Sequence, residues 1–186
     1  MEDLITDHYL TNKTVLITGA AGFIGSHLVD KCLELGAIVI GVDNFITGRQ
    51  INLKHLDDNP NFYLVEADVT QTSAEYLELA LDQLQASRPE ANKIDVIFHL
   101  ASPASPPAYQ EHPIETYLVN SIGTHNLLSF LQSHFPQTRF VFASTSEVYG
   151  DPQVHPQTED YWGNVNPNGL RSCYDESKRL GETICG

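Results

Sequence analysis

Tyr174 and Lys178 stand four residues apart in the stretch YDESK, so a helix there would carry both on one face. A phenol is a weak base at neutral pH, and each unit by which its pKa falls requires about 1.4 kcal/mol of preferential stabilisation of the phenolate. The Lys178 ammonium, joined by a second positive charge in a water-poor pocket, would supply that and make Tyr174 a base for a substrate hydroxyl. Upstream, VFASTSEVYGDPQ runs from apolar residues into Ser144, Thr145, Ser146 and Glu147, three hydroxyls and a carboxylate that form either a turn or a reaction centre. Tyrosine and lysine also meet at this spacing on solvated helix faces, so the pair gains meaning only from its surroundings.

A second group surrounds the glycine-rich run GAAGFIG, from Gly19 to Gly25, which follows the apolar stretch TVLIT. Such a turn between a strand and a helix lets backbone N–H groups approach a pyrophosphate at the positive end of the helix, with Gly19, Gly22, Phe23, Ile24 and Gly25 in contact. Asp43 follows 18 residues after Gly25, where its carboxylate would accept hydrogen bonds from the hydroxyls of an adenosine ribose. This favours NAD as the cofactor. Arg49 would suit the 2′-phosphate of NADP, but Asp43 would repel that phosphate. Asn44, Gly48 and Arg49 complete the cofactor set after this strand, although an aspartate before Asn44 also serves as a plain turn residue.

The elements that must position these groups alternate along the chain. TVLITG, AIVIGVD, FYLVEADV, DVIFHLA and RFVFAST read as five short strands, apolar on both faces at first, as buried parallel strands are. Between them, Ile24, Leu28, Val29, Cys32, Leu33 and Leu35 recur at helical spacing from Phe23 to a stop at Gly36. Residues 74–87 predict a helix before the fourth strand. Ile114, Leu118, Val119, Ile122, Leu127, Leu128 and Leu131 mark a long helix before the fifth. Residues 151–169, rich in Pro, Asn and Gly, form a long loop ahead of a last helix from about Ser172, and loops of that length are uncommon without a function. Strands alternating with helices imply right-handed crossovers and an α/β fold, a doubly wound parallel sheet of Rossmann type. In such a sheet the strands' carboxyl ends line the ligand crevice, and STSE sits at one of them.

At 186 residues the chain suits one well-buried domain. We expect a single NAD-binding domain over residues 1–186, with residues 1–12 as an N-terminal extension. A net charge of −14 excludes broad contact with a nucleic-acid backbone, so any phosphate is bound locally. No run of 18 apolar residues and no basic n-region followed by an apolar stretch occur, which predicts a soluble, cytoplasmic protein without membrane contact. Cys32, Cys173 and Cys185 show no paired spacing and the eight histidines are scattered, so neither a disulfide framework nor a metal site is expected.

The GxxGxxG spacing resembles the extended branch of the short-chain dehydrogenase/reductase superfamily. By that resemblance Asp68 and Val69 of EADV meet the adenine, and Leu100, Ala101 and Ser102 of HLAS lie against the cofactor, as does Ser144 at the end of the fifth strand. ASPASPP, STSEVYG, YWGNVNP and RSCYDESKR together are similar to the UDP-glucuronate decarboxylases, from about Lys13 to the end of the chain. The resemblance implies an oxidation, elimination and reduction cycle on one bound NAD, acting on UDP-glucuronate. Tyr174 takes the proton of the sugar's C4 hydroxyl, Lys178 supports it, Thr145 holds that oxygen, and Glu147 with Ser146 manages the proton returned at C5. Pro103 and Ser105 face the sugar acid, together with Thr145, Glu147 and Tyr174. Arg171 either approaches the substrate or caps the last helix. A homodimer built on the helices containing residues 116–133 and 172–184 is implied as well.

Position 146 separates the nearest relatives, because dTDP-glucose 4,6-dehydratases typically pair an aspartate with the glutamate where this chain has Ser146. A serine is no acid of comparable strength, which disfavours dehydration. Three departures from the family pattern stand out. Asn168-Gly169-Leu170 replaces an apolar residue, glycine and proline. Residues 72–93 form a longer stretch, expected to add surface helix. The chain also stops at Gly186, where relatives continue into a C-terminal substrate lobe, so it reads as a fragment with an open substrate side. A non-catalytic NAD-binding module is the rival from another class.

Overall fold

The computed structural model describes residues 9–71, 75–89 and 92–186. Five parallel strands, β1 (Thr14–Thr18), β2 (Ile38–Asp43), β3 (Phe62–Glu66), β4 (Val96–His99) and β5 (Arg139–Phe142), form one sheet in the order β3-β2-β1-β4-β5. The order reverses between β1 and β4, the switch point at which open α/β sheets bind ligands. Every residue of β1 and β2 is buried, because these strands are covered on both faces, whereas β3 and β5 at the edges are partly exposed.

The period of two along β1 sends its side chains to two cores. Leu16 joins Ile40, Val42 and Ile97 beneath α2 (Glu75–Ser87) and α5 (Thr124–His134), through Leu77, Leu84, Leu127 and Leu131. Val15 and Ile17 face α1 (Phe23–Glu34) with Val29 and Cys32, and here Leu53 and Leu56 of two short 3₁₀ turns fill the place of a helix. Residues 72–93 were expected to add surface helix. Their helix, α2, instead buries Leu77, Ala80, Leu81 and Leu84 as the crossover between β3 and β4, and residues 72–74 and 90–91 lie outside the described residues. Residues 1–8 of the N-terminal extension also lie outside them, while Leu10 packs on the α1 core and Asn12 N–H donates to Gly36 O at 2.8 Å.

The long helix expected before β5 is divided. α3 (Pro106–Glu111) precedes α4 (Pro113–Leu118), and a π turn (Val119–Gly123) joins α4 to α5. The wide turn shifts the helical phase, so Ile114 and Ile122 come out exposed while Val119, Leu127 and Leu131 stay buried. The last helix, α6 (Ser172–Cys185), presents a buried stripe of Tyr174, Asp175, Ser177, Lys178 and Gly181. At Gly181 a Cβ would collide with the Phe142 ring and lie 3.0 Å from Asn120 O, so glycine lets α6 approach both β5 and the π turn.

Gly181→Val should therefore displace α6 and cost about 1–3 kcal/mol, as overpacking does elsewhere. Urea unfolding checks this, and an unchanged midpoint would mean that α6 does not need the close approach.

Candidate active site

The register places Thr18 beside Val42 and His99, His99 beside Phe142, and Asp43 beside Glu66, so the strands' carboxyl ends lie along one edge of the sheet. The loops leaving that edge carry the candidate residues. Gly19 has φ of 72°, and a Cβ there would lie 2.8 Å from Ala101 N, so only glycine lets the β1 and β4 loops close on each other. Gly22 caps α1 with extended backbone and no side-chain partner, while a Cβ on Gly25 would collide with Gly19 O. Phe23 and Ile24 are exposed beside this turn.

Asp43 is 7% exposed and its carboxylate is already engaged: Ala21 N–H donates to Oδ2 and Phe45 N–H to Oδ1, each at 2.8 Å. Burial pushes its pKa up and these two hydrogen bonds pull it down. The acid thus ties the glycine turn to the end of β2 and keeps lone pairs for further donors. Asn44 Nδ2 donates to Asp68 Oδ2 at 3.1 Å, linking the loops after β2 and β3. Gly19, Gly22, Asp43, Asn44, Gly48, Asp68, Val69, Leu100, Ala101, Ser102 and Pro103 line one pocket with Ile46, Thr47 and Glu115. A glycine cradle, two acids for ribose and adenine, and apolar walls suit a dinucleotide such as NAD. Arg49 is exposed outside this lining, with its backbone N–H on Ala21 O.

Beneath the pocket, Thr18 Oγ1 contacts His99 Nδ1 at 2.6 Å and accepts from Ala101 N–H at 3.2 Å. Burial first, and then the Lys178 charge, lowers the His99 pKa to about 3, so this imidazole stays neutral as a structural strut.

Thr145, Glu147 and Tyr174 converge past β5. The Tyr174 hydroxyl lies near enough to the Thr145 side chain to feel it as a hydrogen-bonding partner, and the residue is 6% exposed. Thr145 Oγ1 also accepts from Glu147 N–H at 3.2 Å, starting the 3₁₀ turn Ser146–Tyr149 that sets the Glu147 side chain. Lys178, 3% exposed, donates to Ala143 O at 2.7 Å, with its Nζ 5.8 Å from the centre of the Tyr174 ring. Burial lowers its pKa to about 8. The Tyr174 phenol goes the other way from the sequence-based expectation. Burial pushes it up, the Thr145 hydrogen bond pulls it down, and the charges of Glu147 and Asp175 push it up again. One of the three Lys178 N–H donors goes to a backbone carbonyl, and in the chain itself desolvation is the largest influence on the phenol.

Arg171 resolves into a bridging role at the start of α6. Its Nη1 lies 2.9 Å from Glu147 Oε2, an ion pair whose alignment falls outside hydrogen-bonding angles, and its Nε lies 4.0 Å from Asp175 Oδ2. Asp175 is 4% exposed, and burial raises its pKa against the pull of Arg171. Two predicted residues are exposed. Ser144 Oγ donates to Glu182 Oε1 at 2.5 Å on the exposed side of α6, and the Ser146 residue is exposed. Pro103 is buried at the pocket, whereas Ser105 is exposed ahead of α3. Sequence reasoning missed Tyr109, stacked on Tyr174, and also Asp175 and Asn120, whose Nδ2 donates to Ser177 Oγ at 3.0 Å. Only Asp175 carried a local signal, as the neighbour of the candidate base.

The Lys178 burial has a thermodynamic sign. An ammonium with a folded-state pKa near 8 and an ordinary value of 10.5 binds fewer protons in the folded chain across that interval. Folding stability should therefore rise with pH between about 8 and 10 in the natural chain relative to Lys178→Met, measured as urea midpoints. Parallel profiles for the two chains would contradict the buried ammonium.

The comparisons with known proteins agree with this geometry. The chain is 50% identical over 173 residues to UDP-glucuronic acid decarboxylase 1 of Danio rerio, covering 93% of this chain and 37% of the relative. The chain thus spans about a third of that relative's length. A solved UDP-galactose 4-epimerase superimposes with a TM-score of 0.67 at 34% identity, over 92% of this chain and 50% of the other. A dTDP-glucose 4,6-dehydratase from Bacillus anthracis, solved with NAD, gives 0.69 at 29% identity, over 92% and 49%. The NAD dependent epimerase/dehydratase family model matches residues 15–186, and the chain belongs to that family.

Proposed function

We propose that this chain is the cofactor-binding and proton-transfer part of an NAD-dependent decarboxylase that converts UDP-glucuronate to UDP-xylose. The observation that carries the reading is the convergence of Tyr174, Thr145 and Glu147 past β5, beside the glycine-walled pocket. Half-identity to a decarboxylase of UDP-glucuronic acid supports the substrate. Residues 9–186 hold the nucleotide and the base, and the chain spans about a third of the relative's length.

Bound NAD would supply a hydride acceptor at C4 and afterwards a donor at the same carbon, held by Asp43, Asp68 and the Gly19 to Gly25 turn. Tyr174 accepts the proton of the C4 hydroxyl, whose oxygen Thr145 holds, because the two side chains lie close together. The resulting 4-keto sugar carries a carboxylate on the neighbouring carbon. As a β-keto acid it loses carbon dioxide with the electron pair moving into the carbonyl, and hydrogen-bond donors at that oxygen stabilise the enolate. Glu147, tied to Arg171 by its carboxylate and to Thr145 by its N–H, is the group we assign to returning a proton at C5. Lys178 holds positive charge behind Tyr174, which returns the proton it took to the C4 oxygen when hydride comes back to C4. A dehydratase would need an acid at position 146, and Ser146 is too weak for that role.

We further propose a homodimer through the exposed face of α4 and the π turn, where Ile114, Tyr117 and Ile122 lie open to solvent. The three free cysteines suit a reducing, cytoplasmic setting.

The chain extended to the length of its relatives should release carbon dioxide from UDP-glucuronate and form UDP-xylose without net NADH. Tyr174→Phe should lower that rate by about a hundredfold or more, the usual scale for removing a general base. NAD binding without turnover in the extended protein would instead favour a non-catalytic nucleotide-binding module. Light scattering should give twice the chain mass, falling to one copy in Ile122→Glu.

A further inference from the structure

Tyr109 has no part in the chemistry above, yet its ring stacks on that of the base. It lies on α3, is 2% exposed, and its ring lies along that of Tyr174 with centroids 5.1 Å apart and planes 9° from parallel, an offset stack. Its backbone is held on both sides. Tyr109 N–H donates to Ser105 O at 3.0 Å, and Cys173 Sγ–H, on the residue before Tyr174, donates to Tyr109 O at 3.5 Å.

The geometry of a phenol gives this stack a specific consequence. The hydroxyl oxygen lies on the axis of the Cβ–Cγ bond, so spinning the ring about that bond leaves the oxygen in place. Only a swing about Cα–Cβ carries it away from Thr145. A buried ring laid on its face, fixed through its own backbone, blocks that swing. We propose that Tyr109 is a positioning residue for Tyr174, holding the phenol oxygen against Thr145. The proline-rich segment Pro103 to Pro107 thereby becomes part of the support of the base as well as a wall of the site. The proposal rests on Tyr174 being the base, but it concerns an approach of Tyr174 to Thr145 that the chain makes by itself.

The charged and titratable groups around this phenol are Glu147 from the 3₁₀ turn, Arg171, Asp175 and Lys178 from the start and face of α6, and Tyr109 from α3. Tyr109→Phe leaves the four on the other elements and keeps the stack. Tyr109→Leu leaves the same four and removes the flat face.

The test uses the chain isotope-labelled at tyrosine Cζ, with the Tyr174 resonance assigned by its loss in Tyr174→Phe. Thr145→Val should raise the Tyr174 titration midpoint by about half a unit or more, because a hydrogen bond that favours the phenolate is lost. The same increment is expected on the Tyr109→Phe background. On Tyr109→Leu it should vanish, since the oxygen has already left Thr145. Thermal melting by circular dichroism verifies the fold. Should the leucine chain not fold, Tyr109→Met fills the volume without a plane and serves in its place. Equal increments on all backgrounds would overturn the proposal. The readout is a proton titration, so absence of decarboxylation would not mimic that result, and a Tyr109 without influence would leave the decarboxylation untouched.

Discussion

How closely α6 can lie against the end of β5 decides whether this protein has a site at all. Gly181 on the Phe142 ring, Lys178 on Ala143 O and Tyr174 on Thr145 follow one another at helical spacing along a single face of the helix. Arg179 adds bonds to Val148 O at 2.7 Å and to Trp162 O at 2.9 Å, fixing the long loop after β5 to the same helix. Retreat of the helix by the width of one methyl group would break the shorter of these contacts together. The glycine pocket takes most of its lining from the loops after β1, β2, β3 and β4, and only Glu115 and Val119 come from the elements that α6 touches.

The charges follow from the same closeness. Packing α6 on the sheet desolvates Lys178, Asp175 and Tyr174 at once, which lowers the first and raises the other two. All three shifts disfavour the charged form. Under the proposed reaction the positive charge that lowers the phenol arrives with the nicotinamide. Glu147 pairs with Arg171 and is partly open to solvent.

Much of this was legible in the chain. Uninterrupted apolar runs announced β1 and β2, Gly36 marked the end of α1, and the turn from Gly19 to Gly25 with Asp43 lay where the strand register later placed it. Tyr174 and Lys178 were readable because i,i+4 spacing is a local property. The remainder was not local. Two prolines disguised α3 as a connector, so Tyr109 on it went unread, and its stack on Tyr174 spans 65 positions that only the tertiary fold brings together. The π turn carries no breaker residue, which left α4 and α5 looking like one stripe. The fate of Arg171 depended on whether Glu147 faced it, a matter settled by the 3₁₀ turn that Thr145 caps.

The claim at the centre of this account is that base and hydride exchange act on one carbon of a bound sugar nucleotide, with nothing lost to solvent there. The most direct measurement follows UDP-glucuronate carrying deuterium at C4 through the extended protein by mass spectrometry and proton NMR. Retention of the label at C4 of the pentose, with a solvent hydrogen newly placed at C5, is the predicted result. Loss of the C4 label to water, or carbon dioxide release from a substrate never oxidised at C4, would contradict it.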